Sequence, residues 1–277
     1  MSFCASCGAE VESGSAYCAK CGKQVQQYSG NVTNSTMSVD TGKTQFSQSL
    51  AMRRDSDRIM SVGWVFLPFI GIILGVVGIV VSFTSPLAGV GLTIGLSFLD
   101  LVLVVVFWYF LISRRNNHFK RDKLERESLI EYLKQAGAAS GRSNDIATEL
   151  ATMNAVNAEA TTEEETKSAA LWIVLTIVTF GIAGLYVLYF LTRDPYKHDS
   201  KQQSFMQQTQ SALAKLGKPI VNPSWKALPS RSFILYLILD IVTLGLFGFY
   251  WYYVLIKDFN DHFKAQWQLE DSIMSIM

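Results

Sequence analysis

Between Val62 and Ser113 the chain carries one formally charged side chain, Asp100. Soluble domains are about 25% charged, so an uncharged stretch of this length cannot be shared out over a water-facing surface. "TSPLAG" (Thr84 to Gly89) divides it into two apolar runs, Val62–Phe83 and Leu92–Ile112. Each is close to the ~20 residues that cross a bilayer as a helix. Gly71 and Gly75 form a G-x-x-x-G pair that lets a second helix approach closely, and the second run ends in an aromatic belt, "FWYF". The expected fold class is a mainly α integral membrane protein. The whole chain, with 17% charged residues and a net charge of +1, agrees with that class.

Two further apolar segments read as copies of one another. At a constant offset of 64, Ser168 aligns with Ser232, Thr179 with Thr243, Gly181 with Gly245 and Gly184 with Gly248. The alignment continues through Tyr186 and Tyr250, Asp194 and Asp258, and His198 and His262. A fainter third copy lies in the first apolar pair, where "WYFLISRRNNHF" (Trp108 to Phe119) parallels "YYVLIKDFNDHF" (Tyr252 to Phe263). All 3 histidines of the chain, His118, His198 and His262, therefore fall at one repeat position.

Basic residues set the expected topology. Arg53, Arg54 and Arg58 precede the first run, and Arg114, Arg115, Lys120, Arg121 and Lys123 follow the second, which places both ends of that hairpin in the cytoplasm. Single crossings by the later segments would put the lysine-rich stretch from Arg193 to Arg231 outside, against the same rule. The favoured reading makes each segment a short helical hairpin that turns at T-x-G-x-x-G, with Gly181, Gly184, Gly245 and Gly248 as turn glycines. Arms of about 12 residues would reach about 18 Å, short of a ~30 Å hydrocarbon core, so they would re-enter rather than span. A kinked single helix is the competing reading, because glycine is common in membrane helices. These segments resemble an uncharacterised bacterial multi-helix membrane family with repeated T-x-G-x-x-G-x-Y units, best at Thr243 to Asn260. The resemblance implies helical-hairpin architecture and carries no activity.

The 4 cysteines sit in "CASCG" and "YCAKCG": Cys4, Cys7, Cys18 and Cys21. Two residues between thiolates let both sulfurs reach one Zn²⁺, and the following Gly8 and Gly22 permit the tight turn behind the second sulfur. Residues 1–25 resemble the short zinc ribbons at the N-termini of many bacterial and archaeal membrane proteins. The expectation is a small β zinc ribbon with one structural Zn²⁺. A closed four-sulfur site leaves no coordination position for catalysis. Lys20 and Lys23 are balanced by Glu10 and Glu12, so nucleic acid is not an expected partner.

The remaining segments complete the map. Residues 26–58, rich in Gln, Ser, Thr and Asn, read as a flexible linker. "TGKT" at Thr41 to Thr44 lacks the earlier glycine of a phosphate loop, since Met37 stands there. Residues 59–134 read as a two-helix transmembrane hairpin with a following polar helix, and 135–167 as a mobile loop with some helix. Residues 168–217 form the second hairpin unit with its helix, 218–230 a linker, and 231–277 the third unit with a C-terminal helix. The N-terminus lacks a basic, apolar signal sequence, so the expected location is the inner (cytoplasmic) membrane with both termini cytoplasmic.

Five residues outside the ribbon stand as functional candidates. The histidines could converge on one metal or proton site, or mark three membrane exits where an amphipathic ring suits the headgroup zone, the favoured reading. Asp100 and Asp240 lie within apolar runs, where a carboxylate is costly and points to function by default. No catalytic constellation is visible. The expected function is a non-enzymatic, membrane-anchored interaction or regulatory protein whose ribbon meets a protein partner. A small transporter, channel or membrane-perturbing protein using the two aspartates is the alternative. Besides that partner, the bilayer is the expected environment, and self-association is left open.

Overall fold

The computed structural model describes residues 2–3, 10–11, 40–220 and 225–277. The chain divides into two compact units, Met1–Ser38 and Val39–Met277. In the first, β1 (Ser2–Phe3) pairs antiparallel with β2 (Glu10–Val11), Ser2 opposite Val11 and Phe3 opposite Glu10. The pair brackets the first Cys-x-x-Cys knuckle. The cysteines themselves, and linker residues 26–39, lie outside the described residues.

The second unit is helical. α1 (Asp40–Ala51) and α2 (Arg53–Ser56) lead into a 3₁₀ segment, Val62–Phe69, that continues as α3 (Ile70–Thr84). α4 (Pro86–Ala139) is a single helix of 54 residues. α5 (Ala147–Glu163) follows, then α6 (Ala169–Val178) and α7 (Ile182–Lys215), and finally α8 (Phe233–Val242) and α9 (Phe247–Ile276). Val62–Thr84 and Pro86–Ala139 are long and apolar enough to cross a membrane. Pro86 opens α4, where its fixed φ suits the first turn and its missing N–H costs nothing.

The two repeated segments each fold back on themselves. Trp172 on α6 lies against Tyr186 and Phe190 on α7, and Tyr236 on α8 against Phe247 and Trp251 on α9. In each, a turn at T-x-G-x-x-G joins two packed helices. Their first arms have 10 residues each, rising about 15 Å.

The repetition extends to atoms. Thr179 Oγ1 donates to the Leu175 carbonyl at 2.7 Å and accepts from the Ala183 N–H at 2.9 Å. Thr243 does the same to Leu239 at 2.7 Å and from Phe247 at 2.9 Å. Gly181 and Gly245 hold φ of 95° and 88°, where a Cβ would be strained. Gly184 and Gly248 serve close packing: a Cβ would lie 2.6 Å from the Trp108 ring and 3.1 Å from Asp240 Oδ1, respectively.

Helix occupies part of the expected linker and more of the 135–167 segment than the expected partial helix. Residues 40–58 of the expected linker contain α1 and α2, and α1 buries Phe46 completely. Gly42 permits this, since its Cβ would fall 2.4 Å from the Tyr132 backbone nitrogen on α4. Polar composition concealed one buried aromatic and one glycine contact. In the expected mobile loop 135–167, α4 runs on to Ala139 and α5 buries Met153 and Ala160, with Ile146 just before it. That spacing of seven places the three on one helical face. Gly42→Val is expected to lift α1 off α4 at an overpacking cost of about 1–3 kcal/mol. Limited trypsin digestion should then cleave faster at Lys43; an unchanged rate would contradict the contact.

Helices α4, α7 and α9 each leave a hairpin turn and run in the same direction into a common body. An apolar cluster near the hairpins contains Phe107, Trp108, Val187, Phe190, Trp251 and Val254. A second, further along the same helices, contains Leu129, Leu133, Phe205, Leu213, Leu269 and Ile273. On every helix the histidine lies between the two.

Candidate functional site: a buried histidine and carboxylate layer

The three histidines meet. His118 Nε2 is 3.1 Å from His198 Nε2 and 3.1 Å from His262 Nε2, and the three ring centroids are 4.9 to 5.0 Å apart. Relative exposure is 0% for His118 and 2% for His198 and His262. The rings therefore do not lie at a headgroup surface, and the membrane-exit reading is corrected. Parallel helices entering from equivalent turns bring equivalent positions to the same height, which is why a repeat position became a cluster.

One helical turn beyond the histidines lie Asp122, Gln202 and Gln266, again repeat-equivalent and all fully buried. Asp122 Oδ2 is 3.0 Å from His198 Nε2 and 3.3 Å from His118 Nε2. It receives no well-aligned hydrogen bond among the described residues. Its other oxygen accepts from Gln266 Nε2 at 3.0 Å and from Arg121 at 2.8 Å.

Each outward-facing ring nitrogen has its own carboxylate. His118 Nδ1 is 2.9 Å from Asp57 Oδ1, His198 Nδ1 is 2.7 Å from Glu164 Oε1, and His262 Nδ1 is 2.8 Å from Asp199 Oδ1. Asp57 and Glu164 stand just ahead of their own hairpins. The position equivalent to Glu164 in the third unit, 64 residues on, is Leu228. Asp199 of the second unit substitutes for the missing acid and accepts the Leu228 N–H at 2.9 Å.

These carboxylates fix the tautomers. With each Nδ1–H donating outward, the Nε2 lone pairs point inward at one another and at Asp122 Oδ2. Burial drives His118 down to about 4 despite Asp122 and Asp57. Burial also lowers His198, but Glu164 and Asp122 overcome it and raise that ring to about 9. Glu164 moves oppositely: burial raises it, while His198 and Arg126 hold it at about 2. A proton on His198 satisfies one inward contact and leaves His118 and His262 facing each other with lone pairs.

Below this layer the charges are paired through Arg121, which is fully buried. Its guanidinium donates to Glu270 at 3.0 and 2.8 Å and lies 3.2 Å from Asp57. Glu125 is pushed well above the carboxylate range by burial and by the Glu270 and Asp122 charges. Its Oε2 accepts from Gln266 at 2.7 Å and lies 3.7 Å from the Arg121 guanidinium.

Of the other candidates, Asp100 has a local partner, whereas Asp240 Oδ1 is buried without a hydrogen-bond partner among the described residues. Asp100 Oδ1 accepts from Gly71 N–H at 2.9 Å, at the start of α3, where a carboxylate is favoured by the helix dipole. Asp240 lies in the third hairpin against Gly248. Asp194 and Asp258, four residues before their histidines, bind Arg115 and Arg231 instead. Sequence reading brought out the histidines through repeat equivalence. It missed Asp122, although its spacing of four from His118 was a usable signal, and it missed Asp57, Glu164 and Asp199, which carry none.

A zinc-ribbon domain model matches residues 3–25, which implies structural zinc binding. A family of unknown function (DUF6693) matches residues 155–266, which include Glu164, His198, Asp199 and His262 but not the first hairpin. No curated protein and no solved structure matches the chain.

Proposed function

We propose that this chain is a membrane-anchored, non-enzymatic interaction protein that presents a zinc ribbon to a protein partner at the cytoplasmic face. The observation that carries the anchoring is apolar exposure at every hairpin tip. Phe83 and Leu87 are 85% and 88% exposed, Phe180 98% and Leu244 93%. Water would penalise four such residues, together with the exposed faces of α3, α6 and α8, whereas a bilayer would cover them. The first hairpin spans, and the two shorter ones dip into the near leaflet beside it. Their backbone groups are satisfied internally, as hydrocarbon requires. Asp100 is tied to the Gly71 N–H within the first hairpin, which favours an anchor over a transport path.

Two measurements test this reading. The protein is expected to stay in the membrane pellet after alkaline carbonate extraction; release to the supernatant would contradict the anchor. In intact cells, Gln207→Cys on α7 should resist a membrane-impermeant maleimide and react only after permeabilisation. Labelling from outside would place that stretch across the membrane and overturn the re-entrant topology.

A further inference from the structure

We propose that His118, His198, His262 and Asp122 form a closed, four-coordinate site for a divalent transition-metal ion of the Zn²⁺ class, separate from the ribbon. The donors are three imidazole nitrogens and one carboxylate oxygen, a set suited to Zn²⁺ and its neighbours rather than Mg²⁺ or Ca²⁺. A tetrahedral ion with bonds of about 2.0–2.1 Å has donor–donor edges of about 3.3–3.4 Å. Four of the six edges, at 3.1, 3.1, 3.0 and 3.3 Å, are within a few tenths of that, and the other two are no longer than 4.8 Å.

Protons cannot satisfy this arrangement as a metal does. The outward Nδ1 atoms already use one N–H each, and Asp122 Oδ2 is fully buried without a well-aligned donor. One inner proton on His198 leaves the His118 and His262 lone pairs facing each other, whereas a cation in its place would meet all three nitrogens and the Asp122 oxyanion. The three Nδ1 carboxylates supply the outer support that orients metal-binding imidazoles and raises their basicity.

All four donors are buried, so no position is left for a water nucleophile, and the ion's work is to hold rather than to hydrolyse. It fixes the exit helices of all three repeats at one level, which couples hairpin packing to metal occupancy. A cavity of about 240 Å³, lined by Glu163, Glu164, Asp194, Lys197, Lys201 and His198 beside Phe119, borders the cluster at His198.

The test is metal content and cobalt spectroscopy on the full chain in detergent. Wild type is expected to hold one metal equivalent more than folded Asp122→Asn or His262→Gln. A chain with Cys4, Cys7, Cys18 and Cys21 all changed to Ser is expected to keep that equivalent. Loaded with Co²⁺, it should show the intense visible absorption of a four-coordinate nitrogen and oxygen site, without a thiolate charge-transfer band. Should a variant fail to fold, wild-type protein loaded with Co²⁺ should still show this absorption alongside the ribbon's thiolate bands. Equal metal content in wild type and the folded histidine or aspartate variants would overturn the proposal. So would a cobalt spectrum with thiolate bands alone, or with only the weak absorption of a six-coordinate ion.

Discussion

Arg121→Met is expected to destabilise the helical body by about 3–5 kcal/mol, the cost of breaking a buried ion pair from one side. Arg121 is fully enclosed and lies among Asp57, Asp122 and Glu270. Burial alone would weaken its charge, yet Glu270, Asp122 and Glu125 hold its pKa well above the ordinary arginine value. Removing the guanidinium strands the carboxylates that orient His118 and face the histidine cluster, so the histidine layer should loosen as well. Lysine keeps the charge but not the fork that gives two parallel bonds to Glu270. Thermal melts in detergent should rank wild type above Arg121→Lys, and both above Arg121→Met. A methionine variant as stable as wild type would show that the network is not required for the fold.

Stripping the metal should have an effect of similar size. An ion that binds only the folded chain stabilises it by about 4 kcal/mol at a thousandfold excess over its dissociation constant. In the four-serine chain, a strong chelator is therefore expected to lower the melting temperature, and added Zn²⁺ to restore it. His262→Gln in the same background should melt near the chelated value and ignore the chelator. If chelation lowers the melting temperature of that variant equally, the stabilising ion is bound elsewhere. The effect belongs to the helical body because its donors come from α4, α7 and α9.

Much of this architecture could be read from the residues. Uncharged length gave the first hairpin, and T-x-G-x-x-G gave the two later turns, because each residue has a local task that sequence can display. Thr179 and Thr243 cap, Gly181 and Gly245 take left-handed backbone, and Gly184 and Gly248 admit a neighbour. What could not be read depends on distant packing. α1 is held by Phe46 and by Gly42 against Tyr132, 90 residues away, and its own composition resembles a linker.

The site divides in the same way. Equivalent histidines were visible, but their convergence required three helices to run parallel at matched heights, a tertiary fact. Asp57 shares its polar stretch with Asp55, and Glu164 is the middle of three consecutive glutamates, with nothing to distinguish either until His118 and His198 arrive. Asp199 is harder still, since it replaces a carboxylate that its own repeat position, Leu228, does not supply.

The central claim, that three repeats converge to hold one ion, is tested most directly by zinc-edge X-ray absorption on the four-serine chain. Retained zinc is expected, with about four nitrogen or oxygen neighbours at about 2.0 Å and the outer-shell pattern of three imidazoles. Loss of all zinc on removing the ribbon thiolates, or a shell with fewer than three imidazoles, would contradict it.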